Sequence, residues 1–206
     1  MNVIQTKFKY TNSLIPLNLD KVLFIVIHHP DAKTATPEQI HQWHLERGFN
    51  GFGYNEYIRK DGTVYIGRGD YVGAQCKNMN SKSYGICCEG DYEVEKDMPK
   101  AQFDALVERL KCHKARFKNL VSIEPHNKFN PTSCPGRYFP FQQMINALDE
   151  VKTEQQITED AIDRLHRLSP LVLSATDWWK KKARAGEVIP GEIAAALIIK
   201  FSNYLG

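Results

Sequence analysis

VLFIVIHHP, residues 22–30, opens with six consecutive apolar side chains, four of them β-branched (Val22, Ile25, Val26 and Ile27). A run this short, without polar alternation, predicts a strand buried on both faces, as in the middle of a parallel sheet. It stops abruptly at His28-His29-Pro30. Two imidazoles therefore stand at the end of a buried strand, where a sheet presents functional groups on a rigid base.

Outward from that strand the pattern alternates. Thr36-Pro37-Glu38-Gln39 predicts a helix start, with Thr36 as cap, Pro37 at the first helical position and Gln39 closing a capping box. That helix runs to about Arg47 and stops at Gly48. Tyr54 to Arg59 and Thr63 to Gly67 flank Lys60-Asp61-Gly62, a hairpin signal. Tyr84 to Glu89 reads as another short apolar strand. Pro99 to Phe117 carries Phe103, Leu106, Val107 and Leu110 on one helical face, and Phe141, Met144, Ile145, Leu148 and Val151 repeat the pattern. Strands alternating with helices predict an α/β fold, a mixed central sheet flanked by helices.

The chain has 206 residues, enough for one well-cored domain and a small appendage. A break near VKTEQQ (151–156) divides it into a main domain, 1–153, and a small helical C-terminal segment, 157–206. Within that segment Trp178-Trp179-Lys180-Lys181-Lys182 sets aromatic beside basic residues, and Ile193, Ala194, Leu197, Ile198 and Phe201 share one side of a last helix. Wall binding or a homodimer through this segment fits the pattern, as does plain docking. The net charge of +3 is too weak and too evenly spread to argue for nucleic acid. No apolar run approaches a membrane span, and no secretory signal is legible at the start, which points to synthesis in the cytoplasm. Five cysteines, Cys76, Cys87, Cys88, Cys112 and Cys134, form no disulfide framework, so most read as reduced small apolar residues.

Three residues stand out as metal ligands: His28, His126 in a loop region between two helices, and Cys134 inside TSCPG (132–136). Neutral imidazole and thiolate suit zinc, and three ligands leave a fourth position for water or substrate. Spacing alone does not bring His28 to His126. His41 and His44, read as facing different sides of their helix, are assigned with His113 and His166 to ordinary surface roles.

Four stretches, FIVIHHP (24–30), IHQWHLERGFNGFGYNEYIRKDGTVYIGR (40–68), NSKSYGICCEGDYE (80–93) and PHNKFNPTSCPG (125–136), occur in an order that resembles the type-2 N-acetylmuramoyl-L-alanine amidase family. That family includes amidase-type phage lysozymes and peptidoglycan recognition proteins. The resemblance covers roughly residues 20 to 150. It implies a mixed sheet with zinc at the floor of a groove, ligated by His28, His126 and Cys134. It implies a catalytic tyrosine at Tyr54 and a contact to the reacting carbonyl at Thr132, where members carry lysine or threonine. The implied activity is hydrolysis of the amide between N-acetylmuramic acid and L-alanine in bacterial peptidoglycan, by a phage or prophage endolysin that reaches the wall after release. A peptidoglycan-binding module without catalysis is the competing reading, and Cys134 weighs against it.

Three positions depart from the family pattern. Asn55 and Gln75 stand where histidines are frequent, and Cys87 stands where some bacterial members place a catalytic glutamate. Glu89, two residues on and therefore on the same strand face, is an alternative base, with a paired structural carboxylate as the competing role. His29, Trp43 and Arg68 complete the candidates for the substrate groove.

Overall fold

The computed structural model describes residues 2–149. The chain divides into units Met1–Asp149 and Glu150–Gly206. The helices, tryptophans and self-association expected after residue 156, together with Val151 and His166, lie outside the described residues.

Among the described residues six strands, β1 (Val3–Gln5), β2 (Phe24–His28), β3 (Glu56–Ile58), β4 (Val64–Ile66), β5 (Ser83–Cys88) and β6 (Ser122–Pro125), form one sheet in the order β1-β4-β3-β5-β2-β6. Only the β3–β4 hairpin is antiparallel; the other four pairings are parallel. The sheet is therefore mixed, as the alternation of strands and helices predicts. Helix α1 (Pro37–Glu46) covers one face, and α2 (Lys100–Arg116) with α3 (Phe141–Asp149) the other.

Local chemistry explains the elements. At α1 the Thr36 hydroxyl accepts from Gln39 N, and Gln39 Oε1 accepts from Thr36 N, so the expected capping box forms. In the hairpin Asp61 accepts from Thr63 N at 2.9 Å, and Gly62 takes a φ of +82°, which a residue without Cβ adopts at little cost. β2 is central, paired to β5 and β6, which is why its sequence is apolar on both faces.

Strand alternation then sorts the interior into two clusters. Ile25, Ile27, Ile58, Tyr84, Ile86 and Cys88 point under α2 and α3, where Leu106, Leu110, Phe117 and Met144 meet them. Tyr57 and Cys87 point to the other face and pack with Ala35, Ile40 and Phe52. The charged residue on β3, Glu56, is fully buried on the α2 side. It accepts hydrogen bonds from Arg109, His113 and the Tyr84 hydroxyl.

Two of the histidines expected at the surface are buried structural groups. His113 belongs to the Glu56 network, 2.9 Å from its carboxylate. His44 Nδ1 accepts from Gly53 N at 2.9 Å. The half-buried His41 accepts from the neighbouring Phe52 N at 3.0 Å. Residues three apart share a helix face, so both rings reach adjacent amides of the same loop instead of facing different sides.

Candidate metal centre

His28 is the last residue of β2. Since Ile25 and Ile27 enter the core under α2, alternation turns His28 to the α1 side of the sheet. His126 was expected in a loop between helices but instead directly follows a strand, β6, opening a 3-10 turn at His126–Lys128. Ile27 pairs with Pro125 across the parallel β2–β6 ladder, so the next residue of each strand lies side by side. The two imidazole centroids are 4.5 Å apart.

Cys134 arrives on the loop after that turn, tied back by a hydrogen bond from Asn127 N to its carbonyl. Its Sγ lies 3.7 Å from His28 Nδ1 and accepts from His29 N at 3.4 Å. One donor atom from each of His28, His126 and Cys134 falls within 4.8 Å of the other two.

The electrostatics suit cation capture. Burial, then the neighbouring His126, holds the His28 imidazole well below its usual pKa. Burial also lowers His126. Both rings are therefore neutral near pH 7, with lone pairs available. The Cys134 thiol is pushed up to about 12 by burial, so it keeps its proton until a cation replaces it, and metal uptake releases a proton. Two imidazoles and one thiol are the donor set of an open zinc site. The residues fit the metal.

Each imidazole also meets an amide oxygen. His28 Nε2 lies 2.5 Å from Gln75 Oε1, and His126 Nε2 lies 3.0 Å from Asn130 Oδ1. The sequence flags Gln75 only as a departure from a family pattern and does not flag Asn130. An amide side chain four residues after a candidate ligand was the available signal.

Tyr54 is half-buried beside the centre, its ring 5.2 Å from that of His28. Burial raises its pKa well above 10, helped by Cys87 and Cys134, so it is a neutral hydroxyl donor near pH 7. Thr132 is exposed at the rim, and its Oγ1 accepts from Cys134 N at 3.2 Å.

The remaining candidates divide. Trp43 is half-buried on α1 and lines a hollow of about 340 Å³ with Pro30, Asp31, Ala32, Glu46 and Arg47. His29 is buried with its ring Nδ1 accepting from Tyr92 N at 3.1 Å, so its backbone amide, rather than its ring, serves the centre. Arg68 is buried and donates to the carbonyls of Phe52 and Val72. Glu89 is likewise held by protein groups. Its carboxylate is gripped by Arg59 at 3.0 Å through both oxygens and accepts from Lys60 N and Ala35 N, so it is a paired structural carboxylate. Burial raises the Glu89 pKa, but these donors outweigh it and the net shift is down, which is unsuitable for a base near neutral pH.

Known proteins resemble this chain in sequence and fold. A family model described as N-acetylmuramoyl-L-alanine amidase matches residues 18–137. The endolysin of Klebsiella phage KP32 is 36% identical over 117 residues, covering 52% of this chain and 77% of that protein. Peptidoglycan-recognition protein LB of Drosophila melanogaster is 33% identical over 128 residues, covering 55% of this chain and 54% of that protein. In solved structures, the N-acetylmuramoyl-L-alanine amidase LysC from Clostridium intestinale superimposes with a TM-score of 0.66 at 28% identity, covering 73% of this chain and 99% of that one.

Proposed function

The chain belongs to the N-acetylmuramoyl-L-alanine amidase family and acts as an amidase of peptidoglycan, and from that premise we propose that its catalysis depends on zinc held by His28, His126 and Cys134. The observation that carries this reading is the meeting of those three donors within 4.8 Å, from positions up to 106 residues apart. The bond cut is the amide between N-acetylmuramic acid and L-alanine. The biological setting is that of a phage or prophage endolysin, synthesised in the host cytoplasm and acting on the wall after release. Similarity to phage endolysins supports that setting.

Zinc held by His28, His126 and Cys134 would supply Lewis acidity, enough to activate water near pH 7 and to polarise a carbonyl. The protein's own residues handle the charge and protons around it. Tyr54, neutral and adjacent to His28, donates a hydrogen bond to the oxygen that becomes negative as the amide carbon turns tetrahedral. Thr132 accepts from Cys134 N through its oxygen, which leaves its O–H free to donate to a carbonyl entering from the rim. A hydroxyl brings no charge, so this contact is weaker than a lysine would make.

Family relatives include recognition proteins, so binding without cleavage is the reading to exclude. The thiol of Cys134 favours cleavage, since it completes the ligand set. The test uses the full chain on purified peptidoglycan. Free stem peptides should appear, vanish on chelation and return with zinc, and Cys134→Ser should lose tight zinc binding because a hydroxyl is a poor ligand beside a thiolate. Release of stem peptides that survives complete metal removal, or normal zinc stoichiometry in Cys134→Ser, overturns the proposal.

A further inference from the structure

We propose that Gln75 and Asn130 are positioning residues that lock His28 and His126 in the tautomer with the proton on Nε2, so that both rings present Nδ1 to the metal. This rests on the zinc reading above.

The argument turns on which end of each amide faces its imidazole, and in both cases other contacts decide it. Gln75 Nε2 donates to Ser83 Oγ at 2.9 Å, and Ser83 Oγ donates in turn to Met79 O at 2.9 Å. The serine proton is committed to Met79, so Ser83 can only accept from Gln75, and the Gln75 oxygen must be the atom at His28 Nε2. Asn130 Oδ1 accepts from Lys77 N at 3.0 Å, while its Nδ2 donates to Phe129 O at 2.8 Å. Reversing that amide would set two donors and two acceptors against each other. A carbonyl oxygen only accepts, so both Nε2 atoms carry hydrogen and both Nδ1 atoms keep the lone pair. His28 Nδ1 is also the atom that faces Cys134 Sγ.

One loop steadies both supports. Asn80 Oδ1 accepts from Gln75 N and Cys76 N at 2.9 Å each, fixing the segment that supplies Gln75 and, through Lys77 N, orients Asn130. The sheet makes room for it. A Cβ on Gly85 of β5 would lie 2.6 Å from Gln75 Cγ, so this glycine is what lets the glutamine cross the sheet to His28. Partners of this kind on metal-bound histidines change affinity by about 10–100-fold when removed.

The test measures zinc affinity by chelator competition and the imidazole tautomers by long-range proton–nitrogen correlation spectra of the metal-free chain. Gln75→Leu and Asn130→Ala should each weaken zinc binding by about 10–100-fold while leaving stoichiometry at one. Gln75→Glu, which keeps an acceptor at His28, should restore or tighten it. In the unsubstituted protein both histidines should show a proton on Nε2, a signature that no folding defect in a variant can imitate. A proton on Nδ1 of either ring overturns the proposal, as does unchanged affinity in both Gln75→Leu and Asn130→Ala. If the unsubstituted protein binds zinc and the variants match it, only this inference falls. If it binds none, the zinc reading falls and takes this one with it.

Discussion

Replacing Arg109 by methionine should strip the buried Glu56 carboxylate of its main counter-charge. Glu56 is fully buried, and Arg109 grips it through both guanidinium and carboxylate edges, with Nε to Oε2 at 2.8 Å. His113 and the Tyr84 hydroxyl complete its shell at 2.9 and 3.0 Å. Burial alone raises the Glu56 pKa, but the hydrogen bonds and charges of Arg109 and His113 outweigh it and hold the carboxyl at about 2, against 4.5 for a free glutamate. That difference corresponds to about 3 kcal/mol of stability at neutral pH. A carboxyl depressed in this way stabilises the fold above the unfolded value of 4.5, and the contribution disappears as pH falls towards 2. Arg109→Met leaves an uncompensated buried charge, and the loss at pH 7 should be about 3–5 kcal/mol, or roughly 10 °C in Tm. Urea titration followed by far-ultraviolet circular dichroism, repeated from pH 7 to pH 2.5, measures both effects. Glu56→Gln should flatten the acid limb between pH 4.5 and pH 2.5, and the double variant should lose less than the sum of the two singles. Arg109→Met within about 1 kcal/mol of the parent, or an unaltered acid limb in Glu56→Gln, would refute the reasoning.

Tyr54→Phe removes one hydroxyl donor and no metal ligand. It should lower kcat on peptidoglycan about 100-fold with zinc content unchanged, and an unaltered rate excludes Tyr54 from the chemical step. Glu89→Gln should cost about 1–3 kcal/mol of stability, because Arg59, Lys60 N and Ala35 N lose a charged acceptor. Its kcat should stay within about two-fold of the parent's. A hundred-fold fall in kcat for a folded Glu89→Gln protein would return Glu89 to the role of base.

Much of the scaffold was legible in the residues themselves. The short unalternating run before His28, rich in β-branched residues, reads as a strand covered on both faces. The capping box at Thr36 and the Lys60-Asp61-Gly62 turn fixed a helix start and a hairpin through contacts within four residues. Such signals are local, so the sequence carries them whole. The strands β1 and β6 were not legible, because three or four residues at a sheet edge hold too little pattern, and that hid the strand on which His126 depends. The donor residues were identifiable as types, and the family resemblance named the set. Their convergence was a tertiary matter, since ring-to-ring distance is set by the parallel registers of β2, β5 and β6 and not by spacing along the chain. The same holds for groups whose partners lie far along the chain. His113 and Glu89 look like ordinary polar residues in one dimension, and only folding sets Glu56 against the first and Arg59 against the second. Gln75 and Asn130 make the point most directly. An amide has two ends of opposite character, and which end meets an imidazole is decided by partners elsewhere, on Ser83 and Lys77, that no stretch of sequence places beside it.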